Sequence, residues 1–196
     1  MSETDTDSRF ENETLHIGRW RETAEPGSGD PALLTEVPEQ YNVVIVSGER
    51  GHDAIPDFRP ARFSRQEFRA QVDALHEQGR TVLLAIGGPD ARVDLRDGQE
   101  EALFERLIEL TDDFGFDGVV LELAQSAARA GDNRIVIPAA LKATRLHHSA
   151  EGRAFRIGLT AGAGDAGSAA EGDLPFGEEL EGHYDFVARD GHVERA

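Results

Sequence analysis

The sequence predicts an α/β fold in which strands alternate with helices and lie parallel in one sheet. Short β-branched apolar runs, typical of buried parallel strands, alternate with amphipathic segments. The runs begin near Tyr41, Thr81, Asp117 and Phe155, so successive starts lie 40, 36 and 38 residues apart. Strand and helix recurring at this interval form right-handed βα units, which place successive strands parallel to one another.

Local signals define the elements of the first half. Leu15–Trp20 (LHIGRW) is the first predicted strand and Tyr41–Gly48 (YNVVIVSG) is the second. Residues Ser64–Glu67 (SRQE) predict a capping box, and Gly79 predicts the end of the helix that this box opens. Thr81–Gly88 (TVLLAIGG) is the third predicted strand.

The second half repeats the pattern. Asp97–Glu100 predicts another helix cap, and an apolar stripe runs from Leu103 to Phe114. Gly118–Ala124 (GVVLELA) is the fourth predicted strand. A helix is expected near Pro138–His148, and Arg156–Thr160 is the fifth predicted strand.

The C-terminal residues predict how the sheet ends. Tyr184–Arg189 is a sixth predicted strand, and Asp190-Gly191 is a strong two-residue hairpin signal. A closed barrel of eight βα units needs about 250 residues, whereas this chain has 196. We therefore expect either a doubly wound open sheet or an incomplete barrel of five to six parallel strands. The hairpin over Tyr184–Arg195 would cover the open edge and favour a monomer, the alternatives being a partner or a second copy at that edge.

The amino-acid composition limits the classes of molecule that the protein is expected to bind. The chain has 38 acidic and 20 basic residues, a formal charge of −18, and Lys142 is its only lysine. This balance is typical of proteins adapted to high salt, and it argues against binding to nucleic acids or anionic membranes. Without cysteine, disulfide and thiolate chemistry are excluded. The glycine-containing turns match no phosphate- or dinucleotide-binding motif, so no cofactor is expected.

The N-terminus predicts location and domain limits. Residues 1–13 are acidic and polar, so we expect them to be disordered, with residues 14–196 forming one βα domain. No basic and apolar leader precedes the domain, and no apolar run reaches membrane-spanning length. The expectation is a cytoplasmic protein, or an extracellular one if the chain is a fragment of a secreted protein.

The strand sequences, taken in order, carry a family resemblance. GRW, YNVVIV, VLLAIGG, FGFDGVVLEL and FRIGLT resemble the first five strands of family-18 glycoside hydrolases, the chitinases. In that family the third strand ends in Ser-x-Gly-Gly, the fourth carries Asp-Gly-x-Asp-x-Asp-x-Glu, and the fifth reads Leu-Thr-Met-Ala-Pro-Glu. The resemblance spans Leu15 to Thr160, and more weakly extends to Arg189, which is five or six of the family's eight strands. It implies a TIM-barrel-like fold in the form of an incomplete barrel.

Departures from the fourth-strand motif bear directly on activity. Asp117 and Gly118 match its opening, but Val120 and Glu122 stand where the family has its second and third aspartates. Ala124 stands where it has the catalytic glutamate. In the neighbouring strands Ala85 replaces the serine, and residues 161–164 (AGAG) replace Met-Ala-Pro-Glu.

The resemblance implies a substrate-assisted reaction that these residues do not support. The family's final glutamate protonates the leaving oxygen, and the neighbouring aspartate orients the acetamido group that attacks the sugar. A general acid contributes about 10²–10⁴-fold, and the methyl group of Ala124 donates no proton. Same-face strand positions lie about 6.6 Å apart, which leaves Glu122 too far away to replace the missing acid.

We therefore expect a non-catalytic chitinase-like protein that binds an N-acetylglucosamine-type polymer. The alternatives are a chitinase active through unrecognised acids or as part of a larger enzyme, and a scaffold or decaying paralogue without selected activity. Asp117 and Glu122 are the residual catalytic candidates.

The candidate carbohydrate-binding residues are Trp20, Glu122 and Thr160. Trp20 stacks on a sugar ring or anchors the core. Glu122 bonds a sugar hydroxyl, or is an interior acid paired with an arginine, Asp117 or water. His147 and His148 are expected to be solvated at a helix end, so no metal site is expected.

The acidic composition predicts a stability that rises with salt. Between dilute buffer and molar KCl the Debye length shrinks to about 3 Å, so repulsion among the 38 acidic residues fades. Thermal unfolding across this range should show a rising melting temperature. A melting temperature that stays flat would remove the argument for adaptation to high salt.

Overall fold

A computed structural model describes residues 10–21, 31–47, 55–88, 93–161, 174–189 and 192–195. In these residues one sheet contains seven strands in sequence order. The strands are β1 (Ile17–Arg21), β2 (Val43–Ser47), β3 (Thr81–Gly87), β4 (Gly118–Glu122), β5 (Arg156–Ala161), β6 (Phe186–Arg189) and β7 (His192–Arg195). The helices are α1 (Arg65–Glu77), α2 (Glu100–Phe114), α3 (Gln125–Ala128) and α4 (Asn133–Ala150), with a 3₁₀ turn at Leu34–Glu36. None of the described helices is long and apolar enough to cross a membrane.

The sheet confirms the predicted architecture. Strands β1 to β6 pair in parallel, and β7 pairs with β6 in the antiparallel sense. The pairing of Arg189 with His192 shows the predicted hairpin, whose two turn residues lie outside the described residues. The result is an incomplete, TIM-barrel-like assembly. The apolar residues of the three central predicted strands are buried, namely Val43, Val44, Ile45, Val82, Leu83, Leu84, Val119, Leu121 and Leu123.

The start of α1 agrees with the sequence prediction, whereas the starts of α2 and α4 differ from it. The capping box before α1 is confirmed, since Ser64 Oγ accepts from the Glu67 N–H at 3.2 Å and Glu67 accepts from the Ser64 N–H at 2.8 Å. The predicted cap at Asp97 is wrong. Helix α2 begins at Glu100 after Gln99, and the N–H of Asp97 is bonded to Asp132 instead.

Helix α4 begins five residues earlier than Pro138, which lies inside it. The start is fixed by Asn133, whose fully buried side chain accepts from the Leu95 N–H and donates to the carbonyls of Val93 and Ala127. Two of these bonds tie the start of the helix to the segment before α2, and the third ties it to α3. Together they outweigh the tendency of Pro138 to mark a helix start.

Strand alternation divides the core into two layers. One layer lies between the sheet and the helices and includes Trp20, Val44 and Phe68. The other, which we call the interior cluster, fills the concave side of the curled sheet. It consists of Phe10, Leu15, Val43, Ile45, Leu83, Ala85, Val120 and Phe186.

Three Asx side chains hold the lower, N-terminal end of the sheet. Asn42, Asp117 and Asp185 each precede an even-numbered strand, directly after an aromatic residue. Each side chain accepts a hydrogen bond from a backbone N–H at or just before the start of the preceding strand. The donors are His16 at 2.8 Å, Val82 at 2.7 Å and Ile157 at 2.7 Å, respectively. This repeated clip fixes the register between the strands of successive pairs.

The interior depends on a glycine in β5. The ring of Phe186 is fully buried and lies against Gly158, where an added Cβ would sit 2.3 Å from the ring. Gly158→Ala should therefore destabilise the protein by about 1–3 kcal/mol through overpacking. Urea unfolding measures the loss. The double variant with Phe186→Leu should recover part of it, and an equal loss in both variants would contradict this explanation.

The clip at Asp117 should make stability depend on pH. His76 Nε2 lies 2.9 Å from the Asp117 carboxylate. Burial lowers the pKa of His76, but the hydrogen bond and charge of Asp117 raise it more, so the net pKa lies above its usual 6.5. Because the folded pKa is raised, this stabilisation is fully present below the unfolded pKa and is lost as pH rises through the folded value.

Urea unfolding of the wild type and of His76→Gln, measured from pH 5.5 to 9, tests this dependence. The wild-type advantage should be greatest at the acidic end and shrink as pH rises. The same comparison in an Asp117→Asn background should show no such trend. An advantage that grows with pH would contradict the assigned pairing.

Candidate functional site

The upper, C-terminal end of the curled sheet is where folds of this architecture place their sites. Glu122 is the last residue of β4, and it pairs in register with Gly87 of β3. Its side chain belongs to the concave face and is 10% exposed. A carboxylate this deeply buried requires a charged or hydrogen-bonding partner.

Arg19 of β1 is that partner. Its Nη1 donates to Glu122 Oε1 in an ion pair. The two strands are separated by β2 and β3, so the Arg19 side chain spans the concave side of the sheet. The Arg19 side chain remains 44% exposed. Among the described residues, the ion pair therefore lies above the interior cluster, at the upper end of the concave face.

Sequence reasoning missed Arg19 as a site residue, although a signal was present. In the strand IGRWR, alternate side chains face opposite sides of the sheet. Trp20 is apolar and buried against the helices, so Arg19 must face the concave side together with the other inward positions. The alternation of side chains along β1 therefore predicts that Arg19 lies on the same face of the sheet as Glu122.

Two glycines at the end of β3 lie next to Glu122. Gly87 and Gly88 have φ values of 110° and 115°, which side chains rarely adopt. The Gly88 N–H donates to the Glu122 carbonyl at 2.6 Å. A Cβ on Gly87 would lie 2.4 Å from that carbonyl oxygen. The glycine pair therefore lets β3 and β4 approach closely at the point where Glu122 is held.

Thr160 and Trp20 lie in different layers. Thr160 is buried on the concave face of β5, and its hydroxyl donates to the Leu121 carbonyl at 2.9 Å. Trp20 is 1% exposed and packs on the helix side of the sheet, with its ring centroid 5.7 Å from that of Phe68. The structure thus brings Glu122 and Thr160 to the same face and places Trp20 on the other, in the position of a core anchor.

Asp117 lies at the opposite end of β4 from Glu122. Its carboxylate binds His76 and the Val82 N–H, as described for the clips. Five strand residues span about 16 Å, so Asp117 and Glu122 do not share a site. Asp117 holds the sheet together at its lower end.

Ala124 and Val120 occupy different surroundings. Strand β4 ends at Glu122, two residues earlier than the sequence predicts, and Ala124 precedes the short helix α3. Ala124 is partly exposed, whereas Val120 is fully buried in the interior cluster. An apolar side chain thus fills the position where the resemblance places an aspartate.

The expectation that His147 and His148 are both solvated is wrong for His148, which is 2% exposed. Its Nε2 lies 3.0 Å from Thr111 Oγ1, and its Nδ1 lies 3.2 Å from Arg153. Since the Thr111 hydroxyl donates to Ile108, Nε2 carries the proton and Nδ1 accepts from Arg153. Burial and then the charges of Arg153 and His147 lower the pKa of His148.

This histidine pair lies near an acid in a geometry that resembles a metal site. Ligand atoms of His147, His148 and Glu151 fall within 4.8 Å of one another. Both ring nitrogens of His148 are already engaged, and the Arg153 guanidinium also binds Glu151 at 2.7 Å. The side chain of Arg153 therefore supplies the cation of this cluster.

The chain is similar in sequence to known chitinases. A search against models of protein families found no match. A chitinase of Enterococcus faecalis is 37% identical over 183 residues, which cover 88% of this chain and 52% of that protein.

Solved structures agree. A family GH18 chitinase from Chromobacterium violaceum superposes with a TM-score of 0.71 at 20% identity, covering 90% of this chain and 49% of that one. Human YKL-39, described as a pseudo-chitinase with retained chitooligosaccharide binding properties, superposes with a TM-score of 0.58 at 14% identity, covering 89% and 50%. The chain therefore has a family-18 chitinase-like fold, and it spans about half the length of these relatives.

Proposed function

We propose that this chain is a non-catalytic chitinase-like protein that binds N-acetylglucosamine-type oligosaccharides at the upper end of its sheet. One observation carries the proposal. Where the family places its proton donor, this chain has Ala124, and a fully buried Val120 stands at the motif's second aspartate. Neither side chain can donate a proton, so the substrate-assisted route lacks its general acid. Glu122 stands at the aspartate position beside the donor.

Glu122 does not compensate for these losses. An acid catalyst needs a carboxyl group that reaches the leaving oxygen and holds a proton. One oxygen of Glu122 already accepts from Arg19, and the residue lies two positions before Ala124 in the chain. Glu122 and Arg19 form an ion pair at the upper end of the sheet, and this arrangement is suited to hydrogen bonding with a ligand.

Binding is supported by the polar groups that remain accessible. The Arg19 guanidinium is held on one side by Glu122, and within the described residues its remaining N–H groups have no other partner, so they can donate to acceptors such as sugar hydroxyls and acetamido carbonyls. The description of YKL-39 as a pseudo-chitinase that retains chitooligosaccharide binding supports the separation of binding from hydrolysis in this fold. Trp20 contributes no stacking surface, because helices cover it.

Titration with tetra-N-acetylchitotetraose, followed by calorimetry or NMR, tests binding. Arg19→Lys keeps a charge beside Glu122 but loses the planar fork, and it should weaken binding about tenfold, since hydrogen bonds involving charged groups contribute about 1.5–3 kcal/mol. The control is Arg59→Ala, because the Arg59 side chain is 85% exposed and pairs with Asp57, which does not belong to the interior cluster. No binding by the wild type would overturn the proposal in favour of a scaffold.

Hydrolysis is tested separately. Reducing-end and mass-spectrometric assays on chitooligosaccharides should detect no cleavage by the wild type. Cleavage that Glu122→Gln abolishes would identify an enzyme acting through Glu122 and contradict the non-catalytic assignment. Cleavage that survives in Glu122→Gln would point to acids not assigned to the site.

Restoring the family's acids should cost stability unequally. Val120→Asp places a carboxylate among apolar side chains of the interior cluster, which should destabilise the protein by several kcal/mol. Ala124→Glu lies at a partly exposed helix start, where a negative charge is tolerated, so its effect should stay within about 1 kcal/mol. Urea unfolding of each single variant makes the comparison. Equal stabilities would contradict the buried assignment of Val120.

A further inference from the structure

The lower end of the curled sheet is crossed by residues Phe10–Leu15, which we call the strap. Within the described residues, β1 and β7 are the two end strands and do not pair with each other. The strap connects them. Arg195, the last residue of β7, donates through Nη1 to the Glu11 carbonyl at 2.6 Å and through Nη2 to the Glu13 carbonyl.

The other end of the strap is fastened to the first two strands. The Asn42 side chain donates to the Thr14 carbonyl at 2.8 Å and accepts from the His16 N–H at 2.8 Å. The chain then enters β1 at Ile17. The strap is therefore bonded to β7 at one end and to β1 and β2 at the other.

Phe10 holds the strap against the interior. It is 6% exposed, and its ring centroid lies 6.2 Å from that of Phe186. The guanidinium of Arg156 lies 4.5 Å from the Phe10 centroid and that of Arg195 lies 5.8 Å from it. The aromatic ring thus extends the interior cluster downwards and is bordered by two cations, a favourable arrangement for a π-face.

We propose that the strap is a latch that closes the sheet between β7 and β1 and thereby keeps the chain monomeric. Barrels normally remove their edges by pairing the last strand with the first. Here a short non-strand segment joins the two end strands by carbonyl bonds and an aromatic anchor. When the strap is released, β1, β7 and the apolar interior cluster become accessible to a second copy of the chain.

Phe10 belongs to the segment expected to be disordered, and its side chain packs in the interior cluster. Of that predicted disordered terminus, residues 1–9 lie outside the described residues. The hairpin expected to cover the sheet edge does so only together with the strap, because the hairpin supplies Arg195 and the strap supplies the carbonyl groups that it binds.

Arg195→Ala in the full chain tests the latch. Amide hydrogen exchange should accelerate at least tenfold in β1, β7 and the strap, while β3 and β4 keep their protection. Light scattering after size exclusion should show association that grows with protein concentration. Arg189→Ala is the matched control, because Arg189 belongs to the same hairpin but pairs only with the exposed Glu194 among the described residues; it should match the wild type in both measurements.

Three results would overturn the proposal: unchanged exchange and mass in Arg195→Ala, an equal effect of Arg189→Ala, or acceleration spread evenly over all strands. If Arg195→Ala does not fold, Arg195→Lys replaces it. Lysine keeps the charge beside Phe10 but lacks the fork that binds two carbonyls, so exchange should still accelerate at the two end strands and nowhere else.

Discussion

The concave side of the curled sheet has to be filled by the chain's own side chains, and most other features of the structure follow from this constraint. In the described residues, the ring of Phe186 lies over Gly158, with Val120, Leu83 and Ile45 around it. Such packing leaves no space for a polar group without a partner. The interior therefore has an apolar middle layer, and in the described residues the charged groups lie at its two ends.

This filling connects the loss of the family's acids with the stability of the fold. Val120 belongs to the packed middle layer, so the aspartate that the resemblance places there would be a buried charge without a partner. Glu122 is tolerated because it lies one layer higher, where Arg19 reaches it across the sheet. The apolar interior and the absence of the motif's second aspartate are thus two consequences of the same residue, Val120.

The sequence predicts what depends on short-range patterns. The strands follow from β-branched runs, and the start of α1 follows from Ser64 and Glu67, whose reciprocal bonds involve residues three apart. The errors concern long-range partners. The start of α4 depends on Asn133 bonding to residues about forty positions earlier, and His148 is buried because Thr111 and Phe155 pack against it.

The candidate site shows the same division. Glu122 was found from the spacing of a motif, but its partner Arg19 lies 103 residues away and belongs to another strand. Strand alternation shows which face Arg19 occupies, yet it does not show that the side chain crosses β2 and β3. That contact depends on the curvature of the sheet, which no local pattern in the sequence encodes.

The two ends of the sheet have separate physical tasks. At the lower end, Asn42, Asp117 and Asp185 satisfy the first N–H groups of successive strand pairs, so side chains complete hydrogen bonds that the sheet leaves open. At the upper end, the lack of a side chain at Gly87 lets β3 approach the Glu122 backbone, and the Arg19 side chain remains 44% exposed. Because Asp117 acts as a clip just before β4 and Glu122 forms the ion pair with Arg19 at the last residue of β4, the two acids that flank this short strand satisfy partners at opposite ends of the sheet.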